Sequence, residues 1–161
     1  MGKVEPEGTT LGGKLTFDLA RMKGRRVYFD TNVFVYFLDR NPKYFSVVVP
    51  LMDAAATGDI LAWTGDAAIA ETMVQPYRVD DPALLARCKG FFATEGFLRI
   101  LSHDAQAFDL AAQLRAKRGL KFIDALHCAT ALLGTCSFWV TNDAGIQSDD
   151  ALEVIQLKDW L

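Results

Sequence analysis

At 161 residues, 51% of them hydrophobic and 23% charged, the chain is long enough to bury one core and too short for two ordinary domains. A formal net charge of -3 excludes a protein that grips nucleic acid through overall charge. It leaves room for a local basic groove, for which Lys23, Arg25, Arg26, Arg78, Arg87, Lys89, Arg115, Lys117, Arg118 and Lys121 are candidates, each equally explicable as a solvated charge. Every apolar run is interrupted well before the roughly 18 residues that span a bilayer. The opening MGKVEPEGTTLGGK lacks the apolar stretch of a secretory signal, which predicts a cytoplasmic protein.

Residues 1–24 precede the first recognisable element and read as an N-terminal extension, natural or appended, in which Leu15 to Met22 has the pattern of one or two amphipathic turns. The domain proper is expected over 25–161. Arg26 to Phe29 is a short β-rich run that ends at Asp30, after which Thr31 and Asn32 supply capping chemistry for a helix from Val33 to Leu38. Pro42 to Thr57 reads as a helix after the Asn41-Pro42 break, and Asp59 to Trp63 as a second strand after Gly58. Thr64-Gly65-Asp66 opens a helix containing Glu71, which ends near Pro76 to Val79, and Asp81-Pro82 starts another that runs to about Ala93.

Phe97 to Leu101 is the next strand. A helix follows from about Asp104 to Lys117, stopped by Gly119, and another from Phe122 to Leu133, stopped by Gly134. Phe138 to Val140 is a strand that leads into Thr141-Asn142-Asp143, and Val154 to Leu157 is the last. Short strands separated by helices predict an α/β fold, a mostly parallel central sheet between two layers of helices. Cys88, Cys128 and Cys136 are odd in number and lack CxxC spacing. They read as buried reduced thiols.

In open α/β sheets ligands gather beyond the carboxyl ends of the strands. Asp30 and Asp143 stand there, each directly after an apolar strand or its small polar neighbours, although capping and turn formation alone would also account for either. Glu71 lies in the apolar helix AAIAETMV and Asp124 in FIDALHCATALL. A buried carboxylate must be protonated, paired or metal-bound. For Asp124 a first-turn position along the helix dipole is the milder explanation. Four carboxylates from separate elements of one sheet repel one another unless a cation compensates them, and Mg²⁺ or Mn²⁺ prefers such oxygen ligands. That chemistry suits phosphodiester hydrolysis.

The ordered set FDTNVFVYFLD, AIAETMVQ and FIDALHCATALLGTCSFWVTND resembles the PIN-domain nucleases, and within them the VapC-type toxins of toxin-antitoxin pairs. The resemblance covers roughly Arg26 to Leu161. It implies a three-layer PIN-like α/β/α fold in which Asp30, Glu71, Asp124 and Asp143 are catalytic residues and ligands for Mg²⁺ or Mn²⁺. Thr31, Asn32, Thr141 and Asn142 match its supporting positions. It further implies cleavage of RNA as an endoribonuclease, a homodimer, and a small antitoxin as partner.

His127, three residues after Asp124, reads either as an orienting group or as a packed helix histidine, and Asp39 as a further site acid or a surface charge. Two enzyme rivals are weaker. A haloacid-dehalogenase-like phosphatase needs a second Asp two residues after the first, where this chain has Asn32, and a dinucleotide-binding domain needs a G-x-G-x-x-G after the first strand. A non-catalytic RNA-binding or RNA-processing scaffold of the same fold is the rival from another class.

Overall fold

The computed structural model describes residues 12–161. Five parallel strands, β1 (Arg26–Phe29), β2 (Leu61–Gly65), β3 (Leu98–Leu101), β4 (Phe138–Thr141) and β5 (Glu153–Gln156), form one sheet in the order β3-β2-β1-β4-β5. The chain winds outward from β1 through β2 to β3, then returns across β1 to lay down β4 and β5 on the other side. The order therefore reverses between β1 and β4, and the crevice beyond their carboxyl ends is the topological switch point.

The strand pleat divides the core in two. Val27, Phe29, Ala62, Phe138, Val140 and Ile155 face a layer built from α1 (Gly13–Met22), α2 (Thr31–Leu38), α3 (Phe45–Ala56), α4 (Ala67–Arg78) and α5 (Pro82–Thr94). Tyr28, Trp63 and Trp139, the alternate residues, face α6 (Ala105–Arg118) and α7 (Phe122–Leu133). Because the sheet is covered on both faces, its strands are nearly continuous apolar runs. The result is the three-layer α/β/α architecture expected, with seven α-helices among the described residues.

Local chemistry explains where boundaries differ from expectation. β2 begins at Leu61 rather than Asp59, because Gly58 adopts φ 82° and the Asp59 carbonyl accepts from Gly24 N. Asn41 Oδ1 accepts from Lys43 N and Tyr44 N, holding 42–44 as a turn, so α3 starts at Phe45. The chain closes as a 3₁₀ turn at Leu157–Trp160 after β5. Gly119, at φ 64°, ends α6 as read from the sequence.

Residues 13–22, within the segment set apart as an extension, form helix α1, which packs against α3 and the 3₁₀ turn. Leu15 and Met22 are buried there, and so is Asp18. The Asp18 carboxylate accepts from Lys14, Arg21 and the Trp160 indole, the last at 2.8 Å. Residues 1–11 of the same expectation lie outside the described residues. No helix among the described residues is long and apolar enough to cross a membrane. Cys88, Cys128 and Cys136 are free and buried, and burial pushes the Cys128 and Cys136 thiols up to about 11 and about 12.

Candidate active site

The crevice at the switch point collects side chains from three different connections. Asp30 follows β1 and caps α2, accepting from Thr31 N at 2.8 Å; its second oxygen accepts from the Thr141 hydroxyl at the end of β4. The Asp30 backbone N–H donates to Val140 O at 3.0 Å, so the carboxylate is tied to both strands of the switch. Glu71, one turn into α4, reaches the same place: its Oε1 accepts from Thr31 Oγ1 at 2.8 Å and from His127 Nε2 at 2.7 Å. Asp143 is held in its turn by Gly145 N on Oδ1 at 2.8 Å, and its own N–H donates to Thr141 Oγ1 at 3.1 Å.

Asp124 sits in the first turn of α7, whose N-cap is Lys121. It has no hydrogen-bond or ion-pair partner of its own among the described residues, apart from the neighbouring Asp143 carboxyl. Burial, then the nearby charges of Asp143 and Asp30, push its carboxyl up to about 6, against a small opposing pull from Lys121. Asp30 is also raised, chiefly by burial, with His127 and the Thr141 and Thr31 hydrogen bonds working against the rise. Glu71 moves the other way. Burial would raise it, but the hydrogen bonds from His127 and Thr31 prevail and hold it below its ordinary range.

The four acids read from the sequence are thus gathered by the fold around one crevice, joined by mutual electrostatics or shared donors. The expected supporting residues are there as well. Thr31 serves Asp30 and Glu71, Thr141 serves Asp30 and Asp143, and Asn142 donates to the Tyr36 hydroxyl at 3.0 Å. Asn32 Nδ2 lies 3.5 Å from Thr141 Oγ1, while its Oδ1 is buried without a partner. Asp39 is exposed at the far end of α2 from Asp30 and is not part of the cluster.

His127 and Tyr28 are linked to the cluster through Glu71, a connection that sequence reasoning leaves open for the histidine and does not reach for the tyrosine. His127 bridges the Tyr28 hydroxyl, 2.6 Å from Nδ1, to Glu71. A lone imidazole in an apolar helix, one turn after an acid, was the available signal; Tyr28 offered none. Of the candidate groove residues, Arg25 bonds Ser137, Arg26 lies over Trp63, Arg115 lies over Phe122, Arg118 pairs with Asp149, and Lys89 lies over Tyr77. Lys121 is the basic residue that reaches the acids electrostatically.

Among the described residues no three His, Cys, Asp or Glu side chains close into a metal cage. The oxygen-only donor set, with an Asp124 carboxyl that is destabilised by its acidic neighbours, fits a hard divalent ion of the Mg²⁺ kind. Such an ion keeps several waters and takes only one or two carboxylates directly.

A family model described as PIN domain matches residues 27–150. The chain belongs to the PIN-domain family. Solved structures share its fold: a toxin-antitoxin complex from Klebsiella pneumoniae, at 17% identity and TM-score 0.63, covers 81% of this chain and 97% of its own. VapBC2 from Rickettsia felis bound to a promoter DNA fragment, at 18% and 0.59, covers 81% and 98%. DNA-bound VapBC from Salmonella typhimurium, at 14% and 0.60, covers 83% and 98%. No curated protein matches the chain.

Proposed function

We propose that the chain is a Mg²⁺- or Mn²⁺-dependent endoribonuclease and the toxin of a toxin-antitoxin pair, with Asp30, Glu71, Asp124 and Asp143 as its catalytic and metal-holding residues. The observation that carries this reading is the convergence of four carboxylates from separate elements on the switch-point crevice, where Asp124 meets Asp143 and Asp30 with only a small opposing pull from Lys121 and its carboxyl is pushed up to about 6. Folding tolerates such an arrangement at a cost, and a bound cation removes that cost.

When bound, the ion would lower the pKa of an attacking water and stabilise charge on the phosphate oxygens. The chain's own residues do the rest. Thr31 and Thr141 orient Asp30, Thr31 and His127 orient Glu71, and the Gly145 N–H orients Asp143, so three of the four acids are aimed before any ligand arrives. Asp124 is left adjustable between the other acids and Lys121.

RNA as substrate and a small antitoxin as partner are supported by the sequence resemblance and by fold likeness to complexes of toxins with antitoxins. A homodimer belongs to the same reading. The apolar face of α3 is buried in the core through Val47, Val48, Leu51, Met52 and Ala55 and is not open to a second copy. Exposed Val74, Tyr77 and Val79 at the end of α4 are the better surface for a second copy. The reading is tested by incubating purified protein with single-stranded and structured RNA in Mg²⁺, Mn²⁺ or excess chelator. Cleavage only with metal is expected; undiminished cleavage in chelator, or none under any condition, contradicts it.

A further inference from the structure

Glu71 receives both of its protein hydrogen bonds on one oxygen. Oε1 accepts from Thr31 Oγ1 and from His127 Nε2, whereas Oε2 has no hydrogen-bond partner among the described residues. A carboxylate can only accept, so the Nε2 of His127 carries a proton, and in the neutral ring Nδ1 is left to accept from the Tyr28 hydroxyl 2.6 Å away. The ring is enclosed, its side chain 1% exposed, with both nitrogens engaged.

The surroundings favour these polar contacts over simple packing. The His103 ring stands edge-on to His127 with centroids 5.2 Å apart, and is itself fixed by Thr130 Oγ1 2.6 Å from Nδ1. Gly65, at the end of β2, makes the space: a Cβ there would overlap the His103 ring and lie 2.6 Å from the Tyr28 hydroxyl. A site requiring only volume would be filled by an aliphatic side chain, without a bare backbone at Gly65 and with no buried polar atoms to satisfy.

We propose that His127 is a positioning residue of the nuclease site, held by Tyr28 so that its Nε2–H fixes Glu71 through Oε1 and leaves Oε2 free of protein partners, the oxygen that would be available to a metal ion. This rests on the nuclease reading and assigns a role within it. Outer-shell donors of this kind commonly matter about 10- to 100-fold for metal affinity or activity.

The full chain and three variants, His127→Leu, His127→Gln and Tyr28→Phe, decide the matter, with Mn²⁺ affinity by calorimetry, kcat and KM on RNA, and melts in chelator. His127→Leu is expected to weaken Mn²⁺ binding and lower kcat by about 10- to 100-fold each, with KM for RNA near wild type. His127→Gln retains an N–H at the right reach and recovers most of both losses, and Tyr28→Phe falls between. A folded His127→Leu with wild-type Mn²⁺ affinity and kcat overturns the proposal. So does a Gln variant as impaired as the Leu variant, since that marks packing alone. Should His127→Leu fail to fold, Tyr28→Phe decides, and an unchanged affinity and kcat in it overturns the proposal. Wild-type protein that neither binds Mn²⁺ nor cleaves RNA removes the nuclease reading, and this role with it; an active wild type with indifferent variants removes the role alone.

Discussion

Asp18 and Asp124 are two helix-borne carboxylates, the first fully buried and the second half-buried, and the protein treats them in opposite ways. Asp18 is met by Lys14 at 2.8 Å, Arg21 at 3.2 Å and the Trp160 indole at 2.8 Å, so its charge is answered by the chain itself. Asp124 is met by Asp143 and Asp30 and is pushed up to about 6. A carboxylate that serves the fold is given cations and donors. On the proposed reading, one that holds a metal ion is left mainly among like charges, and the stability it forgoes is recovered when the ion binds.

That contrast is broken most severely by Asp124→Asn, which preserves shape and removes the charge. Cleavage should fall by several kcal/mol of barrier, on the order of a thousandfold or more, in a single-turnover assay with saturating Mn²⁺. An active Asn variant would place Asp124 among the structural acids with Asp18.

The reverse prediction concerns Asp18→Ala. It strands the buried Trp160 N–H and costs about 2 to 3 kcal/mol in denaturant unfolding, while cleavage well below the melt stays at the wild-type level. A loss of activity without loss of stability would contradict the division.

Gly65→Ala sharpens the comparison from the other side of the sheet. The added methyl collides with the Tyr28 hydroxyl and the His103 ring. A loss of about 1 to 3 kcal/mol is expected, accompanied by weaker Mn²⁺ binding because the His127 support for Glu71 is disturbed. An unchanged melt would show that the ring and hydroxyl have slack that the structure does not show.

The pH dependence is the smallest effect. Asp124 is raised in the folded state above its unfolded value, so the stability tied to its protonated form is present below about pH 4. It is lost as pH rises through about 6. Because the group is half exposed, the loss is discounted to about 1 kcal/mol. Metal-free stability should therefore decline over pH 4 to 7 in wild type and less steeply in Asp124→Asn. Equal slopes in the two proteins would remove Asp124 as the source.

The four acids of the candidate site are legible in the sequence because their positions are unusual. Asp30 and Asp143 follow apolar strands directly, and Glu71 and Asp124 interrupt apolar helices, so pattern and cost point to the same four residues. The order of elements was legible for the same reason, since Gly119 and the Asp81-Pro82 pair punctuate it. What escaped were relationships between distant residues. Asp18 is satisfied by Trp160, 142 positions away, and the helix that carries it reads as an appendage until the C-terminal turn is in view. His127 draws its meaning from Tyr28 and Glu71, 99 and 56 positions off, and the start of β2 was set by a bond between Asp59 and Gly24.

The central claim, that Asp124 belongs to a cation-binding cluster, is tested most directly by thermal melts of wild type and Asp124→Asn, first in chelator and then in Mn²⁺. In chelator the Asn variant should match or exceed wild type, because repulsion is relieved. At a hundredfold excess of Mn²⁺ over Kd the order should invert, since wild type gains about RT ln(1 + [L]/Kd), roughly 2.7 kcal/mol. A difference between the two melting temperatures that is the same with and without metal would make Asp124 a helix-end acid and contradict the site.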